Sequence, residues 1–345
     1  MRQDASSSQA SKNSAFGVSA KVPISFACGL YDRMQALYTG EVQAEGIDLN
    51  FINIDAPRKI FDRMAGGREF DVSELSSSEF ITRAAAGDKT FVALPVFPSR
   101  SFRHGCISVN RCSGIKTPKD LEGKRIGVPL YTMTAAVWMR GHLQHDYGVD
   151  LGSIQWVQGA INDSASHGTP SALPTVREIP LTINHSGKSL SRLLDEGEID
   201  AIIGTTLPDS RKHNLDVQRL FTDFRDVEKA YYRRTGIFPI MHLIAIKRDV
   251  YEKAPFIAKS LYNAFCESKQ VAFTKMRNLA ALRYMLPWLA DDLDELDSVF
   301  GADPWPYGLE ANRINLSTLI NYMTEQGLLK AEFPVDELFL PVEEL

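Results

Sequence analysis

Short apolar runs, each closed by a turn and followed by a helical pattern, recur along this chain and leave few architectures open to it. Residues 22–28 (VPISFAC) end at Gly29-Leu30-Tyr31-Asp32-Arg33, and a helical stretch follows. Residues 47–54 alternate, with Ile47, Leu49 and Phe51 on one side. Pro57 then opens a helix that carries Ile60, Phe61 and Met64 on one face, and Gly66-Gly67 stops it. Residues 70–72 lead into a turn at 74–78, where a serine can cap a further helix running to about Ala86. Residues 91–97 form the next apolar run. Strand and helix in strict alternation predict a mostly parallel sheet with helices on both faces, an α/β fold.

The rhythm then starts again. Residues 107–110 are a short extended piece. Pro118 starts a short helix, Gly123 ends it, and 125–128 is the first strand of a second unit. Its first turn, 129–134, precedes a helix over 135–147, which Thr132 or Thr134 is placed to cap. Further strands fall at 154–158, 200–204 and 217–221, and a helix at 189–194. Residues 236–246 are extended and lead back to the first unit, followed by helices at 255–275, 279–289 and 311–326. The expected division is a disordered extension over 1–20, a first lobe over 21–115 and 240–345, and a second lobe over 116–239. Residues 162–174, rich in Ser, Gly, His and Pro, are expected to be a surface insertion.

Composition narrows the partners. A chain of 345 residues with 38 basic and 43 acidic side chains carries a net charge of −5. That balance argues against nucleic acid or an anionic membrane as a partner. No apolar run reaches the roughly eighteen residues needed to cross a bilayer, and the first residues lack the apolar core of a secretory signal. Cys28, Cys106, Cys112 and Cys266 form no CxxC pair, so no disulfide framework is expected. Together these features predict a cytoplasmic protein.

One stretch concentrates charge. Residues 95–104 read PVFPSRSFRH: a buried strand that runs into Arg100, Arg103 and His104, interleaved with Ser99, Ser101 and Phe102. A strand ending in cationic and hydroxyl groups presents donors to an anion at the carboxyl edge of a sheet. A guanidinium grips a carboxylate with two parallel bonds. Two arginines and a histidine this close point to a ligand with more than one negative group. The plainer alternative is a solvated loop whose arginines pair with nearby acids.

Two α/β lobes joined by two crossings resemble the type II periplasmic-binding-protein fold. More closely, ACGLYDRMQAL (27–37), FDVSELSSSEF (70–80), FVALPVFPSRSFRH (91–104), GKRIGVPLYTMTAAVWMRG (123–141) and DPWPYGLEANR (303–313) resemble the 4,5-dihydroxyphthalate decarboxylase family. The likeness spans nearly the whole chain after the N-terminal extension, with PVFPSRxFRH its most specific phrase. It departs at 162–174 and at the N-terminus. The resemblance implies a carboxy-lyase of phthalate catabolism that releases CO2 from 4,5-dihydroxyphthalate, a small aromatic dicarboxylate, to give 3,4-dihydroxybenzoate.

That reaction needs one carboxylate held, the ring carbon bearing the other protonated, and an apolar wall for neutral CO2. The resemblance makes Arg100 and Arg103 candidates for carboxylate binding, with Arg33 facing the same cleft. His104 is a candidate to protonate the ring or bind a hydroxyl, and His242, in PIMHLIAI, is the second acid/base candidate. Glu74 would orient a histidine or take a hydroxyl proton; a helix-start acid is its alternative. Thr132 and Thr134, with the helix behind them, would form an anion-binding terminus, and Thr205 would hydrogen-bond the ligand. His142 and His145 read as surface residues. No HxH, HExxH or two-His-one-carboxylate spacing occurs, so no metal and no cofactor are expected. Homo-oligomerisation is left open. The competing expectations are a non-catalytic cytoplasmic solute-binding protein for an aromatic carboxylate, and a related enzyme acting on another hydroxylated benzoate or a pyrimidine-like ring.

Overall fold

The structure, a computed structural model, describes residues 21–163 and 173–342. The expected extension at 1–20 and most of the insertion at 162–174 lie outside the described residues. Strands β1 (Val22–Cys28), β2 (Ile47–Asn53), β3 (Val72–Ser76) and β4 (Phe91–Arg100) belong to the first sheet. Strands β5 (Ile107–Asn110), β6 (Arg125–Val128), β7 (Gln155–Gln158), β8 (Leu181–Ile183), β9 (Ala201–Ile203) and β10 (Val217–Arg219) form the second. Strand β11 (Ile240–Lys247) returns to the first, giving the orders β2-β1-β3-β11-β4 and β10-β5-β9-β6-β7-β8.

Each sheet is parallel in direction except for one strand, and that strand is the one that enters directly from the other lobe. β5 follows the first crossing and runs antiparallel to β9 and β10. β11 follows the second crossing and runs antiparallel to β3 and β4. From β4 the chain leaves the first sheet at its carboxyl edge and meets the facing sheet at that sheet's carboxyl edge, so β5 runs backwards there; before β11 a helix over 224–235 intervenes. Residues 107–110, which a boundary at 115 leaves with the first lobe, therefore pair in the second sheet.

Helices α1 (Gln35–Tyr38), α2 (Pro57–Phe61) and α3 (Ser77–Ala85) lie in the first lobe; α4 (Thr134–Tyr147), α5 (Leu190–Asp195) and α6 (Phe224–Thr235) lie in the second. Helices α7 (Arg248–Lys253), α8 (Phe256–Met276), α9 (Leu289–Phe300) and α10 (Arg313–Glu325) follow β11. The expected helix at 279–289 is instead turns and bends, with α9 beginning where it was to end. Pro287 interrupts that apolar pattern, and Asp291 and Asp292 suit the first turn of α9.

Helix α4 joins the lobes. Its Trp138 indole donates to the Ile240 carbonyl at 2.9 Å, and Arg140 reaches the Gln326 side chain at 2.8 Å. Gly141 permits this contact, since a Cβ there would lie 2.0 Å from the Tyr322 ring. No described helix is long and apolar enough to cross a membrane.

Candidate active site

A cavity of about 410 Å³ opens between the lobes. Its walls come from the carboxyl ends of parallel strands, where an open α/β sheet exposes backbone and turn residues to a ligand. Tyr31 follows β1, Pro57 and Arg58 follow β2, and Ser76 and Ser99 lie at the ends of β3 and β4. From the second lobe come Leu130, Met133 and Thr134 after β6, and Thr205 after β9. Arg103 of the first crossing, and Met241 and His242 at the start of β11, complete the ring.

Strand pairing places His242 between two hydroxyls. It stands opposite Ser76 of β3 on one side and Ser99 of β4 on the other. Its Nδ1 lies 2.5 Å from Oε1 of Glu74. That leaves Nε2 without a partner among the described residues. The ring of Phe61 meets the imidazole edge-on at 4.9 Å.

Glu74 is fully buried in the middle of β3, not in a turn before a helix as the sequence reading had it. Buried carboxylates are expensive unless paired and hydrogen-bonded. This one receives the Tyr31 hydroxyl at 2.8 Å, the Gly29 N–H at 3.3 Å and the Cys28 thiol at 3.5 Å, besides His242. Burial pushes its carboxyl pKa up, but the His242 charge and these hydrogen bonds outweigh burial, and the net shift is downward. Burial, then the Glu74 charge, drives the Tyr31 phenol far above its ordinary pKa, so it stays a donor. The local reason for an acid in a strand is that β3 is buried along its whole length and Glu74 and Ser76, two residues apart, share the face turned to the cleft.

The cations of the cavity differ. Arg58 is paired with Asp62 at 2.6 Å and Glu79 at 3.2 Å. The Arg103 side chain has no hydrogen bond or ion pair among the described residues, and its Nε is buried without a partner. It is a guanidinium at the cavity wall with no counter-charge among the described residues. Opposite it, helix α4 begins at Thr134 with Met133 as its N-cap, so neither threonine caps by its side chain. Thr134 Oγ1 instead accepts the Ser78 N–H at 3.0 Å and meets Ser76 Oγ at 3.0 Å, tying the starts of α3 and α4 together across the cleft.

Of the residues singled out in the sequence, Arg103, Thr134, Thr205 and His242 line the cavity, and Glu74 stands directly behind His242. The others do not line it. Arg100 is buried on the opposite side of β4, where it donates to the carbonyls of Phe238 at 3.1 Å and Pro306 at 2.7 Å, and to Asn312. Strand alternation explains this: with Ser99 facing the cleft, Arg100 must face away. His104 is buried beyond the crossing and stacks on His142 at 4.8 Å, against Tyr231 at 5.5 Å. His142 is therefore a core residue rather than a surface one, while His145 lies outside, 2.6 Å from Glu325. Arg33 lies between the rings of Tyr31, at 4.3 Å, and Trp305, at 4.4 Å, with its Nε on the Pro98 carbonyl. Thr132 gives its carbonyl to Ser78 and does not reach the cavity. Tyr31, Arg58, Ser76 and Ser99 were missed; their common signal is position, each at or just past a strand's carboxyl end.

Among the described residues no three of His, Cys, Asp and Glu converge as metal ligands would.

The folded chain can now be compared with known proteins. No protein-family model matches it. The periplasmic aliphatic sulphonate binding protein SsuA of Escherichia coli superposes with a TM-score of 0.52 at 14% identity, covering 92% of this chain and 97% of its own. A conserved Candida albicans gene product with the generic periplasmic binding protein fold gives 0.51 at 15% identity, covering 91% and 92%. These establish a two-lobed α/β fold of the periplasmic-binding-protein type. A relative from Comamonas testosteroni described as 4,5-dihydroxyphthalate decarboxylase is 38% identical over 323 residues, 93% of this chain and 97% of its own. A second, from Pseudomonas putida and described in the same words, is 37% identical over 218 residues, 62% of this chain and 82% of its own. The chain belongs to the 4,5-dihydroxyphthalate decarboxylase family.

Proposed function

We propose that this protein removes CO2 from 4,5-dihydroxyphthalate, or a close hydroxylated aromatic acid, and leaves 3,4-dihydroxybenzoate. The observation that carries the reading is the pairing, in one interlobe cavity, of an unpartnered guanidinium with a carboxylate-backed histidine. Arg103 holds the carboxylate that stays on the ring. A charge-assisted bond of that kind contributes about 1.5–3 kcal/mol. The start of α4 supplies free N–H groups and the positive end of its dipole to the second carboxylate while it is charged.

His242 is the proton donor in this reading. Glu74 accepts its Nδ1–H and stabilises the imidazolium, and Nε2–H passes to the ring carbon that bears the departing carboxylate. The positive charge moves to the oxygen of the para hydroxyl. The bond from ring to carboxyl carbon then breaks, its electron pair restores the aromatic ring, and CO2 leaves. His242 is reprotonated from solvent, so one proton is consumed for each CO2 released. Phe61, Leu130, Met133 and Met241 provide an apolar wall that suits neutral CO2 better than its charged precursor. Glu74 and Tyr31 are positioning residues.

The domain reading that goes with this is a first lobe closed by the return of β11 and a second lobe between the crossings, with ligand bound where they face. A cytoplasmic setting goes with it, since the four cysteines stand unpaired. The test is to incubate the purified protein with 4,5-dihydroxyphthalate and follow CO2 and 3,4-dihydroxybenzoate together. Equimolar appearance of both is expected. Saturable binding with no CO2 would overturn catalysis and leave a solute-binding protein.

A further inference from the structure

A second cavity, of about 370 Å³, lies in the first lobe against the two interlobe crossings. Nothing in the reaction uses it. Its walls are aromatic: Phe102 from the first crossing, Phe238 from the second, Phe273 from α8, Phe300 from α9, and Trp305. Phe102 and Phe238 stack at 4.7 Å with 29° between their planes, and Phe238 meets Trp305 edge-on at 5.3 Å. Trp305 is fixed in place, since its indole N–H donates to the Phe97 carbonyl at 2.8 Å. Walls of this kind at this volume suit a flat, single-ring molecule.

Charge then selects among such rings. The ionised groups of the wall are the cations Arg33 and Lys269 and the anion Asp32; with Asp303, paired to Lys269 behind the wall, the local charge is balanced, so the two cations select through the donors they have left. Arg33 donates from Nε and Nη2 to the Pro98 carbonyl and from Nη1 to Asp32. Of its five N–H groups, two therefore stay uncommitted among the described residues. Lys269 gives one proton to Asp303 at 2.6 Å and one to the Trp305 carbonyl at 3.0 Å, leaving the third without a hydrogen-bond acceptor among the described residues, with the ammonium 4.8 Å from the Tyr307 ring. Asp303 is not part of the wall.

We propose that this cavity is a second ligand site, for a one-ring aromatic monocarboxylate. The ring enters among Trp305, Phe102 and Phe238, and the carboxylate takes the spare N–H groups of Arg33 and Lys269. The site does not depend on the chemistry assigned to the front cavity.

Benzoate is the probe. It is titrated into the full-length protein while tryptophan fluorescence is recorded, in wild type, in Arg103→Ala and in Ala272→Phe. Arg103 lines only the front cavity, and Ala272 lines only the rear one. Saturable quenching is expected in wild type, unchanged in Arg103→Ala and weakened at least about tenfold in Ala272→Phe. No saturable quenching in wild type, its loss in Arg103→Ala, or its persistence in Ala272→Phe overturns the proposal. A crystal soaked in 4-bromobenzoate decides the matter even if Ala272→Phe does not fold. The bromine's anomalous peak is expected beside Trp305, and a peak confined to the front cavity, or none, overturns the second site.

Discussion

His242 Nδ1 and Glu74 Oε1 stand 2.5 Å apart, with the carboxylate fully buried and the imidazole at the cavity wall. The pair is asymmetric: Glu74 also receives Tyr31 and Gly29, whereas the other nitrogen of His242 has no partner among the described residues. Two substitutions separate proton transfer from positioning. His242→Gln is expected to lower kcat by about 10²–10⁴-fold with little change in KM. Glu74→Gln, which retains hydrogen bonding but loses the charge that stabilises the imidazolium, is expected to lower kcat less and to move the alkaline limb of the kcat profile to lower pH. Steady-state kinetics over a pH series check both, and a Glu74→Gln profile identical to wild type would remove its positioning role.

Arg103 and Arg100 are three residues apart, and their variants should behave in opposite ways. The Arg103 side chain has no partner among the described residues, so Arg103→Ala leaves none of their groups unpaired. It is expected to change stability by less than about 1 kcal/mol and to lower kcat/KM by roughly 10–100-fold. Arg100 is buried and donates to two carbonyls and Asn312. Arg100→Ala is expected to cost about 3 kcal/mol or more in stability, chiefly by opening a cavity and stranding those acceptors. Urea melts and initial rates distinguish the two. Equal effects on both readouts would contradict the placement of one of these residues.

Acid should destabilise the fold through His142. Burial, above all, holds its imidazole down at about 4, against an ordinary 6.5, although Asp146 raises it and His104 lowers it further. The unfolded chain therefore takes up a proton that the folded one refuses. Stability from this group is complete above about 6.5 and is lost as pH falls toward 4, by on the order of 3 kcal/mol. Glu228 also faces the pair, 3.8 Å from His104. Urea midpoints between pH 7 and pH 4 should fall in wild type and fall much less in His142→Gln.

Turnover should be indifferent to chelation. The cavity offers one histidine and one occluded carboxylate, too few donors for a divalent ion. Dialysis against a strong chelator is expected to leave kcat within about twofold of the untreated protein. Loss of activity that a divalent ion restores would require ligands from the substrate itself.

Most strands were legible because apolar runs and turn residues are local signals; β8, three residues long and largely exposed, was not read. β1, β5 and β6 begin and end where their patterns do. α6 escaped detection since its polar residues leave Tyr231 as the one buried position among Phe224–Thr235. Glu74 was misplaced into a turn because an acid between serines reads as loop, and only a partner from β11, far along the chain, makes it a strand residue. The cationic phrase at 95–104 pointed to the right neighbourhood without resolving direction. Alternation along β4 sends Ser99 to the cleft and Arg100 to the core, and the crossing then divides Arg103 from His104. Direction is a property of register, and register depends on strands that are distant in sequence.

Arg33 is a flat spacer clamped between Tyr31 and Trp305. The phenol ring packs 4.3 Å from this group while its hydroxyl donates to Glu74 at 2.8 Å. A lysine at this position keeps the charge but has no face to offer, so the tyrosine would lose its shelf while the local electrostatics barely changed. The guanidinium matters here as a shape, and a tilt of the indole on its far side would be passed on to the front chamber as a small rotation.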